Sequence, residues 1–185
     1  MKIALISDLH GQKYTLDYLR KIIDKEHPDG IVISGDITEN EDTLFFDKLE
    51  KIIEKAGIEG YIIWGNNDTG RARDRIAHSK YCIHLKAKKI NGYTIFGLSE
   101  TQEPIDISSK ISGVILVTHR PPTKSLLLKK YHRAPAVHIS GHLHDFQIAK
   151  QYPATFHISV PTLQNGSYAM LCPQDKKVIF SKITQ

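Results

Sequence analysis

The fold class follows from one stretch near the amino terminus, Ile3-Ala4-Leu5-Ile6-Ser7-Asp8-Leu9-His10, which joins an apolar run directly to a carboxylate and an imidazole. Its first five residues predict a buried β-strand. Leu16, Leu19 and Ile23 then recur at helical spacing, until His27-Pro28 ends the helix. A strand, an amphipathic helix and a second strand in succession predict parallel pairing through a right-handed crossover.

The same alternation continues through the first half of the chain. Strands are predicted at residues 30–34 and 61–64, separated by a helix that Phe45 and Leu49 mark and Gly57 closes. The sequence thus predicts an α/β protein whose first three strands are parallel.

The second half is richer in strands. Asn91-Gly92 predicts a hairpin over residues 88–96. Further predicted elements are strands at 114–117 and 136–140, a leucine-rich helix near 125–131, and a terminal meander at 147–150, 155–159, 168–171 and 177–181. We expect a single domain over residues 1–185, built as a sandwich of sheets with flanking helices.

Composition excludes several classes of protein. The chain has 185 residues, 41% of them hydrophobic and 24% charged, and no apolar run approaches the roughly 18 residues of a membrane span. Its first apolar run meets Asp8 too early for a secretory signal, so we expect a cytoplasmic protein. Cys82 and Cys172 are too far apart in sequence for a CxxC metal site. The net charge of +5 favours anionic ligands without specifying nucleic acid.

Polar residues of one kind follow each strand that is predicted to be buried. In open α/β sheets, ligands bind outside the carboxyl ends of strands, where neighbouring loops converge. We therefore expect one shared site, and its candidate ligands are Asp8, His10, Asp36, Asn66, His119, His142 and His144.

The spacing and chemistry of these residues predict metal ions. Residues i and i+2 of an extended chain point the same way, so Asp8 with His10, and His142 with His144, each aim two donors at one place. Seven nitrogen and oxygen donors without a thiolate suit two divalent transition-metal ions, with Asp36 as the bridging carboxylate. We expect Mn in first place, with Ni, Co, Fe or Zn as the other candidates. Glycines 35, 65 and 141 are expected to allow sharp turns before the ligands.

The ordered motifs DxH, GD, GN, TH and GHxH resemble those of the calcineurin-like metallophosphoesterase family, and the size is closest to its short prokaryotic phosphodiesterases. The resemblance implies a four-layer α/β/β/α sandwich of two mixed sheets with flanking helices. It also implies a dinuclear centre with one ion on Asp8, His10, Asp36 and His144, and the other on Asp36, Asn66, His119 and His142.

The implied reaction is hydrolysis of a small phosphodiester or nucleotide-like substrate by a hydroxide that bridges the two ions and attacks phosphorus in line. Many family members carry a histidine after the GN asparagine, but this chain has Asn67, which cannot donate a proton as a general acid. Diesters with good leaving groups are therefore expected ahead of monoesters. Arg120 is a candidate phosphate contact, and Asp68 is expected to hydrogen-bond Asn67 or a ligand imidazole.

Two rival functions remain open. One family branch, the small retromer subunit, keeps the fold as a catalytically silent protein-binding scaffold, although here all seven ligand positions are filled. A nuclease is the second rival, but the chain lacks an aromatic and basic stripe that would grip a strand. Substrate choice is expected to depend on loops near residues 69–77 and 100–112, where the arginines at 71, 73 and 75 form either an anion-attracting patch or a solvated helix face. Exposed strand edges make a homo-oligomer reasonable.

Overall fold

The computed structural model describes residues 1–101, 110–121, 134–152 and 155–183. It confirms an α/β fold in which two mixed sheets face each other and three helices of the described residues cover the first of them. The elements, in chain order, are β1 (Ile3–Ile6), α1 (Lys13–Glu26), β2 (Gly30–Ser34), α2 (Thr43–Ala56), β3 (Glu59–Ile63), α3 (Gly70–Ala77), β4 (Ala87–Ile90), β5 (Tyr93–Leu98), β6 (Ile115–Thr118), β7 (Val137–Ser140), β8 (Ile148–Gln151), β9 (Phe156–Ser159), β10 (Ser167–Cys172) and β11 (Lys177–Lys182).

The two sheets have the mixed pairing that the family resemblance implies, and the first three strands are parallel, as their alternation with helices predicts. The first sheet has the order β11-β10-β1-β2-β3, with β1, β2 and β3 parallel and β10 antiparallel to β1. The second has the order β4-β5-β6-β7-β9-β8, with a parallel centre and antiparallel edges. The carboxyl ends of the central parallel strands are therefore available to carry the predicted site.

The helices pack on the outer face of the first sheet. Helix α1 ends at Glu26, and His27, which caps it, has a left-handed backbone (φ 45°). Pro28 then prevents the helix from continuing. Helix α2 begins at Asp42, whose carboxylate accepts a hydrogen bond from Phe45 N (3.1 Å), and ends at Gly57 with φ 66°. The carboxyl-terminal ends of both helices agree with the sequence predictions.

Two apolar layers result from the alternation of side chains along β1. Ala4 and Ile6 face the helices, whereas Ile3 and Leu5 face the second sheet. All four are fully buried. Truncation of such a residue to alanine typically costs about 2 to 5 kcal/mol for a leucine or isoleucine. The central strands are thus fixed from both faces, and the loops that follow them start from rigid positions.

The prediction that the last four strands form one meander is wrong. Strands β8 and β9 pair in the second sheet, and β10 and β11 pair in the first. Strand β9 lies parallel to β7, whereas β10 returns antiparallel beside β1. An alternating pattern identifies the buried face of a strand, but it carries no information about which sheet the strand joins.

Two further expectations concern connecting segments. The segment near 69–77, expected as a loop, is mostly helix α3, and its Arg71 and Arg75 pair with Glu41 and with Asp47 (both 2.9 Å). These pairs favour the solvated-helix interpretation of the arginines. The predicted helix near 125–131 lies outside the described residues, as do 102–109 of the second loop. None of the helices in the described parts of the chain is long and apolar enough to cross a bilayer.

Two histidines are buried on the outer face of the second sheet. His138 is fully buried, and its Nε2 lies 2.8 Å from Thr118 Oγ1, while its Nδ1 has no hydrogen-bond partner among the described residues. His157 lies beside it, with ring centroids 5.5 Å apart. Burial and the neighbouring His157 lower the pKa of His138 from 6.5 to about 3, and burial lowers the pKa of His157 to about 4. Both imidazoles are neutral in the folded protein at pH 7.

Acid is expected to destabilise the protein through His138. In the unfolded chain this histidine binds a proton below about pH 6.5, but in the folded protein only near pH 3, so its contribution to stability is lost as the pH falls between these values. Between pH 6.5 and 5 the loss is about 2 kcal/mol. Urea unfolding across this range should show a shallower pH dependence in His138→Phe than in the natural protein or in the control His78→Gln. Equal slopes in all three proteins would contradict the prediction.

Candidate metal centre

The loops that follow β1 and β2 are joined through their main chains. Asp8 N donates to Gly35 O (3.1 Å), and Leu9 N and His10 N both donate to Asp36 O (2.9 and 3.0 Å). Thr162 holds the first loop from the other side, because its hydroxyl donates to Asp8 O (2.7 Å). Backbone hydrogen bonds therefore set the spacing of the two aspartates.

Five of the seven candidate ligands have left-handed backbone conformations. The expectation that Asp8 with His10, and His142 with His144, lie in extended chain is therefore wrong. Their φ angles are positive although none is glycine: 55° at Asp8, 49° at His10, 48° at Asp36, 70° at His142 and 24° at His144. Such conformations are strained for residues with a Cβ atom, and they cluster at functional sites. The neighbouring strands and loops hold this strain in place.

The three glycines before the ligands act in two ways. Gly35 is left-handed with φ 97°, as a sharp turn requires. The other two are needed for space: a Cβ atom on Gly65 would lie 2.5 Å from Asp36 N, and one on Gly141 would lie 2.9 Å from Asp8 Oδ2. The expectation of a sharp turn thus applies to Gly35, while close packing explains Gly65 and Gly141.

A first cluster of donors contains Asp8, His10 and His144. His144 Nε2 lies 3.4 Å from Asp8 Oδ1 and 3.3 Å from His10 Nε2. Asp8 Oδ1 is buried and has no hydrogen-bond partner among the described residues, while His144 remains 43% exposed. A buried carboxylate oxygen without a donor, facing two imidazole nitrogens, fits a divalent cation.

A second cluster contains Asp36, His119 and His142, with Asn66 beside them. His119 Nε2 lies 3.3 Å from Asp36 Oδ2, 3.1 Å from Asn66 Oδ1 and 3.3 Å from His142 Nδ1. His119 Nδ1 lies 2.9 Å from Ser34 O, to which it donates. That bond leaves Nε2 for a ligand, which is the usual arrangement of a metal-binding histidine.

Asp36 stands between the two clusters. Its Oδ2 is 3.3 Å from His119 Nε2 and 3.9 Å from His10 Nε2. Asn67 supports the same carboxylate, because its main-chain N donates to Oδ1 (2.8 Å) and its Nδ2 donates to Oδ2 (2.7 Å). This position is the one that a bridging ligand needs.

The charges of the clusters are strongly coupled. Burial alone would raise the pKa of Asp36, but contact with His119 and hydrogen bonds from Asn67 lower it overall. Burial alone would lower the pKa of His119, but Asp36 and Asp8 raise it. Contact with Asp8 raises the pKa of His144, whereas burial and the charges of His119 and Arg120 lower that of His142. The aspartates thus attract positive charge to both clusters.

Asp68 does not make the contact that was expected of it with Asn67 or with an imidazole. Its oxygens instead accept from Ile37 N (3.2 Å), Gly65 N (2.9 Å) and both the main-chain N and the hydroxyl of Thr38 (2.7 and 2.9 Å). Burial raises its pKa, and these hydrogen bonds oppose the rise. Asp68 therefore links the loop after β2 to the loop after β3 through hydrogen bonds. The position of Asp68 directly after Asn66-Asn67 does not indicate which hydrogen-bond donors its carboxylate contacts.

Arg120 reaches the second cluster. Its Nη1 lies 3.1 Å from His142 Nε2 and its Nη2 lies 3.4 Å from Asn66 Oδ1, while its Nε donates to Glu100 (2.8 Å). The seven candidate ligands and Asn67 and Arg120 are thus brought together in one place. Sequence reasoning missed Glu100 and Thr162, because neither belongs to a motif.

The hydrogen bonds that Asp68 accepts predict a large effect of Asp68→Ala on stability. The substitution would leave three main-chain N–H groups and one hydroxyl without an acceptor in a buried region, at about 1 to 3 kcal/mol for each unpaired group. We expect the free energy of unfolding to fall by at least about 3 kcal/mol in urea titrations. The exposed control Asp24→Ala should change it by less than about 0.5 kcal/mol. An equally small effect of Asp68→Ala would show that these hydrogen bonds contribute little to the free energy of unfolding.

Comparison with solved structures supports the fold. The chain is similar to TT1561 of Thermus thermophilus, at 15% identity over 99% of both chains with a TM-score of 0.78. It is similar to an archaeal phosphodiesterase (15% identity, 99% of this chain and 100% of that chain, TM-score 0.62). It is also similar to Yfce, a phosphoesterase from E. coli (17% identity, all of both chains, TM-score 0.56). No curated protein sequence gives a significant match.

Comparison with protein families agrees with the motifs. The model of the calcineurin-like phosphoesterase superfamily domain matches residues 1–176, a range that contains every candidate ligand. The resemblance inferred from the ordered motifs is thereby confirmed. The chain belongs to the calcineurin-like phosphoesterase superfamily.

Proposed function

We propose that this chain is a single-domain, cytoplasmic, metal-dependent phosphodiesterase that acts on small phosphodiesters. The observation that carries the proposal is the pair of donor clusters with the Asp36 carboxylate between them. A site with seven nitrogen and oxygen donors, two buried carboxylates and an adjacent arginine fits phosphate chemistry at two cations. The similarity to an archaeal phosphodiesterase and to a phosphoesterase from E. coli supports the same reaction class.

The residues would divide between two sites. Asp8, His10 and His144 would hold one divalent ion, Asn66, His119 and His142 the other, and Asp36 would contact both. Two such ions, with Mn preferred, supply Lewis acidity that lowers the pKa of water toward 7 and stabilises an in-line displacement. The Asp8 and Asp36 carboxylates balance only two of the four positive charges, so the loaded site keeps an attraction for phosphate.

Arg120 and Asn67 would then act on the substrate side. The Arg120 guanidinium offers two N–H groups beside the second cluster, and a phosphate oxygen is the acceptor that such a planar fork binds best. Asn67 keeps Asp36 in place through two hydrogen bonds, but its amide donates no proton to a departing alkoxide. The site therefore suits substrates whose leaving group departs without protonation.

The metal dependence is tested with metal-stripped protein and bis-p-nitrophenyl phosphate. We expect activity to return when Mn, Co, Ni, Fe or Zn is added, and to fall by at least about 100-fold in His142→Ala, which removes a ligand of the second ion. The exposed His78→Ala is the matched control and should retain full activity. Absence of hydrolysis with every metal, despite two bound ions, would favour a protein-binding scaffold. Steeply salt-dependent cleavage of DNA would favour a nuclease.

The consequence of Asn67 is tested by comparing substrates. With the Mn-loaded protein we expect kcat/KM for an aryl diester to exceed that for an alkyl monoester by at least about 100-fold, the lower end of the usual contribution of a general acid. Steady-state rates of p-nitrophenol and inorganic phosphate release give both values. Faster hydrolysis of the alkyl monoester would show that another group protonates the leaving oxygen.

A further inference from the structure

The side chain of Arg120 is held on its outer side by Glu100. Its Nε donates to Glu100 Oε1 at 2.8 Å, while Nη1 and Nη2 reach His142 and Asn66. Glu100 itself contacts no candidate ligand among the described residues. We propose that Glu100 is a positioning residue that orients the Arg120 guanidinium for phosphate, a role that rests on the proposed function.

Glu100 is well placed to orient another side chain because its own main chain is fixed. Glu100 N donates to Trp64 O (3.2 Å), and the indole Nε1 of Trp64 donates to Glu100 O (2.8 Å). Trp64 is 8% exposed and directly precedes the Gly65-Asn66 turn. The carboxylate that holds Arg120 is thus tied to the same loop that carries a candidate ligand.

The main chain of Arg120 is fixed as well. The hydroxyl of Thr118 donates to Arg120 O (2.6 Å) and so accepts from Nε2 of the buried His138 (2.8 Å). The backbone and the Nε atom of Arg120 are therefore both anchored. Only the Nη atoms remain to make contacts in the site.

The present partners of the two Nη atoms, His142 Nε2 and Asn66 Oδ1, belong to two of the candidate ligands. When His142 binds a cation through Nδ1, which faces His119, its proton lies on Nε2, and that atom no longer accepts from Arg120. Asn66 Oδ1 is likewise a candidate ligand. The guanidinium, still held by Glu100, then presents two N–H groups to a phosphate oxygen with little loss of side-chain freedom.

An ordinary surface ion pair is the competing explanation. Arg120 and Glu100 are 36% and 27% exposed, and pairs of this kind often contribute less than about 1 kcal/mol to stability. Removal of Glu100 also removes a negative charge near the phosphate, which on Coulombic grounds alone would strengthen phosphate binding. If Glu100 positions Arg120, its removal weakens phosphate binding instead. The measured change in phosphate affinity therefore distinguishes the two explanations.

The experiment is a double-mutant cycle on the full, Mn-loaded chain, with inorganic phosphate titrated by calorimetry. We expect Glu100→Ala to weaken phosphate binding about tenfold, in line with loss of one charge-assisted hydrogen bond, and to raise KM for bis-p-nitrophenyl phosphate more than it lowers kcat. In the Arg120→Ala background, Glu100→Ala should not weaken phosphate binding any further, because no guanidinium is left to orient. Glu100→Gln keeps an acceptor for Nε and should bind phosphate at least as tightly as the natural protein.

The matched control is Asp47→Ala, because Asp47 accepts from Arg75 Nε at 2.9 Å on helix α2 and contacts none of the candidate ligands. It should leave phosphate binding unchanged. Tighter or unchanged phosphate binding in Glu100→Ala, or the same tenfold loss in the Arg120→Ala background, would overturn the proposal. If phosphate binding follows the predicted cycle but no variant hydrolyses a diester, the proposed function fails while the positioning role stands.

Discussion

Two carboxylates, those of Asp8 and Asp36, are held almost completely out of water at the ends of adjacent parallel strands. Like charges in a buried site are costly unless cations balance them. In the folded chain the imidazoles of His119 and His144 supply part of that balance, which is why their pKa values are raised. The buried Asp8 oxygen without a donor among the described residues shows that the balance is incomplete. This constraint is the physical basis of the proposal that the site holds divalent cations.

The rest of the architecture keeps that unfavourable arrangement in place. Strand β1 is packed from both faces, so the loop after it cannot relax away from the loop after β2. Left-handed backbone at five candidate ligands and close contacts at Gly65 and Gly141 carry strain that only surrounding structure can sustain. Asp68 and Thr162 add the hydrogen bonds that fix the loops. Packing and hydrogen bonding elsewhere thus maintain the geometry of the donors.

Much of this could be predicted from the sequence. Strand and helix periodicity located β1 to β3 and the hairpin around Asn91-Gly92, and the motifs at strand ends identified the residues that the structure brings together. The pairing of β8 with β9 and of β10 with β11 in different sheets could not be predicted, because the sequence of a strand does not show which sheet it joins. The partners of Asp68, and the roles of Glu100 and Thr162, depend on contacts between segments distant in sequence. Single residues outside motifs give no local signal of such contacts.

The proposed function depends on Asp36, whose carboxylate would contact two cations in one centre. The most direct test is elemental analysis of Mn-loaded protein together with electron paramagnetic resonance, for the natural chain and for Asp36→Ala. We expect two Mn ions per chain, a spectrum of two exchange-coupled ions, and loss of that coupling in Asp36→Ala. One Mn ion per chain with the six-line spectrum of an isolated ion, or coupling that survives in Asp36→Ala, would contradict this expectation.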